Sequence, residues 1–387
     1  MRSFRIGSLF GIPIELDLTF LVVLPLFAYL IGVRIEVISG PLNEFWNAGI
    51  ATDALTAGAT PWIIGTVAAV SLFVGVVLHE LGHSLTAMRY GYPIDSITLW
   101  IFGGIASFTE MPEDWKQELQ IAIAGPVVSL LVGAACYVGF LFVPDSFDAG
   151  RFVLGYLALL NVVLAAFNML PGFPMDGGRV LRALLARTRP YARATRIAAE
   201  VGKGFAILIG LFGLLSFRIL PVGIAFFIYI GASSEAQQVT MKAAFEGVSV
   251  RDLMTPREDL HVVEPRTSVA ELIGRMFSER HTGYPVVDDG ELVGLVTLDD
   301  AREVPEIERD AYRVEEVMTR DLTTVTPDTD AMTAINEMQD TGVGRLPVVD
   351  EWGDLVGLIS RTDVMTAFNI IQSSGSLEPA RRTGLSD

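Results

Sequence analysis

The chain has 387 residues, of which 51% are hydrophobic, and its mean hydropathy of +0.46 excludes an ordinary soluble protein. The formal charge of −17 is uneven, because residues 247–387 hold 28 Asp and Glu against 13 Lys and Arg, which leaves only −2 for residues 1–246. This acidic balance argues against nucleic acid as a partner. The single cysteine, Cys136, excludes an intrachain disulfide and a cysteine-based metal site. We expect a membrane half followed by an acidic soluble half.

The first membrane helix is predicted at Leu18–Val33, an uncharged run with Pro25 near its middle. The run lacks a small-residue cleavage site, so we expect an anchor rather than a removable signal peptide. Residues 34–60 are polar and are predicted to form an external loop.

The second apolar run, from Pro61 to about Met88, contains the sequence His79-Glu80-Leu-Gly-His83. Two imidazoles four residues apart share one face of a helix, so both can reach one Zn²⁺ at about 2 Å. From its position beside the metal, Glu80 can take a proton from water and pass it to a leaving amine. The alternative is a histidine pair that only forms hydrogen bonds in a helix core, although ionisable groups at membrane depth are usually functional.

Residues 95–112 change pattern, because apolar and polar residues alternate before Gly103-Gly104 and a second short apolar run follows. This pattern predicts a strand–turn–strand unit. An open strand edge in lipid would leave backbone groups unsatisfied, so the hairpin must lie against protein or a wet cavity. It is either an edge that pairs with an extended substrate or a plain interfacial linker.

Two further spans are predicted at Leu119–Val143 and Phe152–Leu170. Small residues around Ala124-Gly125-Pro126 allow close helix packing. The fourth span ends in two prolines and three glycines around Asp176, which therefore projects from irregular backbone near membrane depth. A catalytic zinc needs a third protein ligand, and Asp176 supplies one. The alternative is that Asp176-Gly177 is ordinary turn sequence.

The membrane half is completed by two short spans, Gly204–Phe217 and Ile219–Ser234, in a hairpin divided by Arg218 and Pro221. The stretch between the fourth and fifth spans is predicted to be a cytoplasmic loop because it is rich in arginine. The arginines that follow Arg179 there are Arg182, Arg187, Arg189, Arg193 and Arg196. The same rule places Arg2 and Arg5 in the cytoplasm, and an even number of spans returns the C-terminal half there.

These motifs together resemble the site-2 protease family of intramembrane zinc metalloproteases. The resemblance covers roughly residues 2–236 and lies in His79-Glu80-x-x-His83, Gly103-Gly104, Ala124-Gly125-Pro126 and Asn168-x-x-Pro171-x-x-Pro174-Met-Asp176-Gly-Gly. It implies that His79, His83 and Asp176 bind one catalytic Zn²⁺ and that Glu80 is the general base. It also implies that Asn168 lies near the scissile carbonyl and that the substrate is a membrane-anchored protein.

The acidic half contains an internal repeat with offsets of 62 to 64 residues, for example Pro285-Val-Val-Asp288 and Pro347-Val-Val-Asp350. Each copy reads as an apolar strand, an amphipathic helix (269–280 or 330–340), two strands about an acidic turn, and a closing helix. The copies resemble a tandem pair of cystathionine beta-synthase (CBS) domains, which implies binding of ATP, ADP or AMP and a possible homodimer.

The nucleotide residues implied by the CBS resemblance are Thr297 with Asp300 and Ser360 with Asp363. A hydroxyl and a carboxylate three residues apart are also what a helix N-cap requires, so the capping alternative stays open. The acidic surroundings would repel phosphates unless they are screened.

We therefore predict an α-helical polytopic membrane protein of about six spans (residues 1–240), followed by soluble α/β CBS domains (247–305 and 311–371) and a disordered tail (372–387). The predicted activity is intramembrane proteolysis, modulated by adenine nucleotides, in a multi-pass cell-membrane protein with a cytoplasmic N-terminus and cytoplasmic CBS domains. The alternatives are a CBS-regulated transporter or channel and a catalytically silent scaffold.

Overall fold

The computed structural model describes residues 3–100, 103–108, 112 and 114–374, and the chain divides into two compact units, residues 1–239 and 240–387. The regular elements that begin in the first unit are β1 Ser3–Leu9, β2 Ile12–Asp17, α1 Phe20–Val33, α2 Ile35–Trp46, α3 Thr60–Arg89, β3 Ile94–Trp100, β4 Gly103–Phe108, α4 Trp115–Phe142, α5 Asp148–Asn168, α6 Asp176–Ala186, α7 Tyr191–Leu215 and α8 Ile219–Ala244. Apolar helices therefore dominate this unit.

Within the described residues, five helices are long and apolar enough to cross a membrane, namely α3, α4, α5, α7 and α8. The pair α1 and α2, bent by 67° at its junction, would make a sixth span. The prediction of an external loop at 34–60 is wrong over its first part, because α2 is helical and buries Ile35 and Leu42. Leu42 packs against Gly155 of α5, so tertiary contact stabilises a helix that the local sequence does not announce.

A four-stranded sheet with the order β1-β2-β3-β4 accompanies the helices. The antiparallel β3–β4 hairpin was predicted, whereas β1 and β2 were not. β2 runs parallel to β3 and pairs Ile14 with Ile97, both of which are buried. The missed signal is Phe10-Gly11, where positive φ angles of 54° and 86° form a tight hairpin turn. Ile101 and Phe102, predicted as part of the hairpin, lie outside the described residues.

Helix α3 packs against α1 and α4 at very short range because glycines face carbonyl groups at both contacts. A Cβ at Gly65 would overlap the carbonyl oxygen of Ala28 on α1, and a Cβ at Gly82 would lie 2.9 Å from that of Ala124 on α4. The predicted close packing around Ala124 is confirmed. It brings α4 against the face of α3 that carries both histidines.

The arginine-rich stretch after Arg179 is not a loop, because most of it forms α6 and the first turns of α7. Arg182, predicted to lie in this loop, is 1% exposed and paired with carboxylates. The division of the last apolar stretch into two helices is confirmed, since α7 ends at Leu215 and α8 begins at Ile219. The prediction that both spans are short is wrong, because α7 has 25 residues and α8 has 26.

The second unit contains two similar α/β modules. Its elements are α9 Val250–Leu253, β5 Thr255–Pro256, α10 Val269–Glu279, β6 Gly283–Asp288, β7 Glu291–Thr297, α11 Leu298–Glu303, α12 Val314–Val317, α13 Ala331–Asp340, β8 Arg345–Val349, β9 Leu355–Ser360 and α14 Arg361–Ser374. The bridge between Val263 and Val286 recurs 62 residues later between Val325 and Val348, which reflects the sequence repeat. Each module has its own apolar core. The predicted tail 372–387 begins inside α14, and beyond Ser374 it lies outside the described residues.

Candidate metal centre

Helix α3 places His79 and His83 one turn apart on its buried face, and α6 begins with Asp176 opposite them. The two Nε2 atoms are 3.2 Å apart, and Oδ2 of Asp176 lies 3.1 Å from Nε2 of His79 and 3.2 Å from Nε2 of His83. Both histidines are 3% exposed. Residues far apart in sequence thus present three donor atoms to one point.

These distances fit a tetrahedral metal. Four ligand atoms at about 2.05 Å from a Zn²⁺ ion lie about 3.3 Å from one another, close to the observed edges of the triangle. Two nitrogens and one carboxylate oxygen are donors that zinc accepts, and three protein ligands leave a fourth position open. The residues present therefore fit a catalytic zinc ion.

Helix α4 sets the orientation of both imidazole rings. Nδ1 of His83 donates to the carbonyl oxygen of Ile121 at 2.7 Å, and Nδ1 of His79 lies 2.8 Å from the hydroxyl of Ser129. A carbonyl oxygen only accepts, so Nδ1 of His83 carries a proton, and Nε2 is the nitrogen that faces the triangle. Ile121 and Ser129 were not predicted, since their contact with α3 depends on helix packing.

The hydrogen-bonded core alternative explains only half of this arrangement. It accounts for both Nδ1 atoms and for contacts between Oδ2 of Asp176 and the Nε2 atoms, but it leaves the two Nε2 atoms facing each other at 3.2 Å, where neither can serve as a good partner of the other. A buried polar group without a well-matched partner costs free energy, and a cation shared by all three atoms removes that cost.

The glycine of the predicted Ala124-Gly125-Pro126 contact lies directly against a metal-facing ring. A Cβ at Gly125 would overlap Nε2, Cε1 and Cδ2 of His83. The absence of a side chain at this position of α4 therefore makes room for the imidazole in its observed orientation.

Glu80 is half-buried and packs against strand β4. A Cβ at Gly104 would lie 2.7 Å from Cγ of Glu80 and 3.2 Å from Cγ1 of Val76. In the described sheet β4 is an edge strand. The carboxylate next to the metal triangle is thus also next to a strand edge, a neighbourhood that the sequence alone does not specify.

Asn168 is the last residue of α5, eight positions before Asp176. It is half-buried, and its amide has no hydrogen-bond partner in the described part of the chain. Its assignment to the scissile carbonyl stays a prediction.

The four predicted nucleotide residues form two equivalent pairs at helix starts. Oδ2 of Asp300 accepts from the backbone and the hydroxyl of Thr297, both at 2.7 Å, and Oδ2 of Asp363 accepts from those of Ser360 at 2.8 and 2.7 Å. These contacts are the capping arrangement that the sequence left open as the alternative. Nucleotide binding at these residues stays a prediction.

Comparison with known proteins identifies the family. The peptidase family M50 matches residues 67–152 and 145–209, and the CBS domain matches residues 250–306 and 314–370. A zinc metalloprotease of Methanocaldococcus jannaschii is 36% identical over 381 residues, which cover 97% of this chain and 99% of that protein. The chain belongs to the site-2 protease family.

Other relatives of this site-2 protease show the same likeness. A putative zinc metalloprotease of Synechocystis sp. is 30% identical over 384 residues, covering 94% of this chain and 95% of that protein. The solved site-2 protease of M. jannaschii is 37% identical, covers 61% of this chain and 95% of that chain, and has a TM-score of 0.42. The predicted fold class, a polytopic helical unit followed by a CBS pair, is confirmed, and so is the zinc metalloprotease activity. The transporter, channel and silent-scaffold alternatives lose their support.

Proposed function

We propose that this site-2 protease hydrolyses a peptide bond in or near the transmembrane segment of a membrane-anchored protein, with one Zn²⁺ held by His79, His83 and Asp176. The observation that carries the proposal is the triangle of ligand atoms, 3.1 to 3.2 Å on each side, in a helix bundle long enough to cross a membrane. Ionisable groups at such depth are costly unless they serve a function.

In this site the protein supplies the ligands and the base. Zinc bound there supplies Lewis-acid chemistry, which polarises a carbonyl group and makes water a stronger nucleophile. Glu80 follows His79 directly on α3, so its carboxylate can accept the proton of the attacking water and return it to the leaving amine. Asn168 is the proposed polar group that orients the scissile carbonyl.

The edge of β4 is the proposed substrate-pairing edge. A peptide bond inside a helix is shielded by its own hydrogen bonding, so the substrate helix must unwind before it reaches the site. An unwound segment satisfies its backbone groups by adding as a strand to a free edge. Because Gly104 on that edge contacts Glu80, a peptide paired there would lie beside the proposed base.

The test compares three variants of the full-length protein purified in detergent, using a substrate with one membrane-anchored segment. Glu80→Gln is expected to keep stoichiometric zinc and to lose at least a thousandfold in cleavage rate, because it removes the base but no ligand. Asp176→Asn and His83→Ala are expected to lose both zinc and cleavage. Cleavage by Glu80→Gln at the wild-type rate, or full zinc content in Asp176→Asn, would contradict the assigned roles.

We also propose that the CBS pair binds ATP, ADP or AMP and thereby modulates proteolysis. Thr297 with Asp300 and Ser360 with Asp363 occupy equivalent places in the two modules, as a site between copies would require. A cation lies close to both pairs. Arg345 is paired with Ser360 between β8 and β9, and its Nη2 donates at 2.9 Å to the hydroxyl of Thr282, whose neighbour Gly283 is paired with Thr297. Burial lowers the pKa of Arg345, while the carboxylates of Asp363 and Asp300 oppose that change. This guanidinium offsets the acidity that would otherwise repel phosphates.

The nucleotide proposal is tested on the full chain by ligand-induced shifts in melting temperature. ATP or AMP is expected to raise the melting temperature of the CBS transition, and the variant Asp300→Ala with Asp363→Ala is expected to abolish the shift. An unchanged shift in the double variant would remove these carboxylates from the site. No shift with ATP, ADP or AMP in the wild type would contradict nucleotide binding.

The N-terminus and the CBS domains are proposed to lie in the cytoplasm, so a soluble product would be released there. We expect the CBS domains to associate into a homodimer. Light scattering of the detergent-purified protein, corrected for detergent mass, distinguishes a dimer from a monomer.

A further inference from the structure

The first unit contains a second polar cluster, separate from the metal triangle, that the proposed mechanism does not use. Arg182 of α6 lies between Glu118 of α4 and Glu235 of α8. Its Nε donates to Oε1 of Glu118 at 2.6 Å, and its Nη1 donates to Oε1 of Glu235 at 2.7 Å. The guanidinium also lies 4.8 Å from the ring centroids of Phe173 and Tyr191. One planar cation thus joins three helices.

The two carboxylates differ in burial. The side chain of Glu118 is 4% exposed and that of Arg182 is 1% exposed, whereas the Glu235 side chain is 24% exposed. A buried ion pair adds little net stability compared with well-packed apolar side chains, because desolvation of both charges offsets their attraction. What the pair supplies instead is a fixed geometry, since the guanidinium donates to carboxylates only in the directions of its N–H groups.

Glu118 lies on the stripe of α4 that supports the metal-facing histidines. Residues 118, 121, 125 and 129 follow each other at helical spacing and therefore share one face. The carbonyl oxygen of Ile121 accepts from Nδ1 of His83, Gly125 contacts the ring of His83, and the hydroxyl of Ser129 lies at hydrogen-bonding distance from Nδ1 of His79. The face of α4 that orients both imidazole rings therefore also carries, in its first turn, the Glu118 carboxylate that accepts from Arg182.

Arg182 lies six residues after Asp176 on α6, a helix of only 11 residues. The chain before Asp176 is the irregular stretch 169–175, and it packs closely on the first turn of α6, because a Cβ at Gly177 or Gly178 would overlap the backbone of residues 169–173. These contacts hold the start of α6 against the chain that precedes it. The position of Asp176 relative to the histidines also depends on how α6 is held against α4, the helix that orients both rings. Arg182 makes a charged contact between α6 and α4.

We infer that Arg182 is a positioning residue, which through its pair with Glu118 holds α6 so that Asp176 meets the histidine pair at metal-binding distance. The inference rests on the proposed ligand set. The pair with Glu235 satisfies the remaining charge but connects α6 to α8, which carries none of the three metal-facing residues.

The test measures zinc affinity by chelator competition and records the visible spectrum of the Co²⁺-substituted full-length protein. Glu118→Gln and Arg182→Lys are expected to bind zinc about tenfold more weakly and to alter the Co²⁺ spectrum. Glu118→Gln removes the charge that holds Arg182 against α4, and Arg182→Lys removes the planar group that reaches both carboxylates. Glu235→Gln is the matched control, since it breaks the other arm of the same guanidinium, and its affinity is expected to stay within twofold. Asp176→Asn is the reference for loss of a ligand.

A neutral variant separates positioning from folding. Arg182→Met combined with Glu118→Gln and Glu235→Gln leaves no uncompensated buried charge, so it is expected to keep its melting temperature but to show the weakened zinc affinity. If Glu118→Gln and Arg182→Lys bind zinc as the wild type does while Asp176→Asn does not, the positioning role is wrong and the ligand set stands. If Asp176→Asn also binds normally, the ligand set itself fails. Equal weakening in Glu118→Gln and Glu235→Gln would also contradict the inference.

Discussion

Two glycines lie against the side chains of the proposed centre, and each contacts a different one of them. Gly125 of α4 leaves room for the ring of His83, and Gly104 of β4 leaves room for Glu80. A methyl group added at either position therefore disturbs one function more than the other, which separates metal binding from proton transfer.

Gly125→Ala is expected to lose zinc and activity together. The new Cβ overlaps three ring atoms of His83, so the imidazole must leave the triangle or α4 must move away from α3. Zinc content measured on the purified protein is expected to fall below one-tenth of the wild-type value. Gly204→Ala on α7 is the control, because open space surrounds its position. Wild-type zinc in Gly125→Ala would show that the ring is held differently.

Gly104→Ala is expected to lower the cleavage rate at least tenfold while zinc content stays unchanged. Its Cβ lies 2.7 Å from Cγ of Glu80, so the carboxylate moves away from its place beside the histidines. The control is Gly7→Ala on β1, the opposite edge strand of the same sheet, because open space surrounds its position. Gly11 is unsuitable as a control because its φ angle of 86° would strain an alanine. Loss of zinc in Gly104→Ala would contradict the separation of roles.

At the scale of elements, α11 starts with a capping box that uses a proposed nucleotide residue. Thr297 and Asp300 exchange hydrogen bonds, and a capping arrangement of this kind contributes about 1 kcal/mol. The same carboxylate therefore has a structural role whether or not a nucleotide binds. For this reason ligand-induced shifts, rather than melting temperatures alone, must decide its role in nucleotide binding.

Asp300→Ala is expected to lower the unfolding free energy of the CBS unit by about 1 kcal/mol in the absence of nucleotide. The measurement is denaturant unfolding of the full chain followed through the CBS transition. Asp299→Ala is the matched control on the same helix. The Asp299 side chain is 92% exposed, and its Oδ1 lies 3.6 Å from Nη1 of Arg302 in a surface ion pair, which contributes little to stability. If Asp300→Ala and Asp299→Ala have the same unfolding free energy, the capping box of Thr297 and Asp300 does not stabilise α11.

At the scale of the whole molecule, the orientation of the membrane unit is predicted from charge. Arg187, Arg189, Arg193 and Arg196 lie between α5 and the apolar part of α7, and the positive-inside rule predicts that they face the cytoplasm. The acidic second unit follows α8, the last apolar helix, and is predicted to lie on the same side.

Cysteine labelling tests this topology, and the single native cysteine makes it simple. In a Cys136→Ala background, Thr188→Cys is expected to stay unlabelled by a membrane-impermeant maleimide in intact cells and to react after lysis. Ala57→Cys is the matched control on the opposite side, since both positions are exposed and Ala57 lies in the predicted external stretch. Labelling of Thr188→Cys in intact cells would reverse the orientation.

The sequence determined the layout of the chain and which side chains are the candidates for the metal centre. The spacing of His79 and His83 places them on one face because a helix has a constant period. The repeat at an offset of 62 to 64 residues predicts two modules because similar sequences adopt similar folds. Periodicity and composition are local properties, so they can be read without coordinates.

Only the tertiary structure decided which distant residues meet. It supplied the distances between Asp176 and the histidines, which the sequence analysis had expected to share one ion, and it showed that Arg182, predicted to lie in a loop, is the buried centre of an ion cluster. It also supplied the strands β1 and β2, the helix α2 and the support of α4 for both imidazoles. These features depend on packing between segments far apart in the chain, and no local pattern encodes the free energy of that packing.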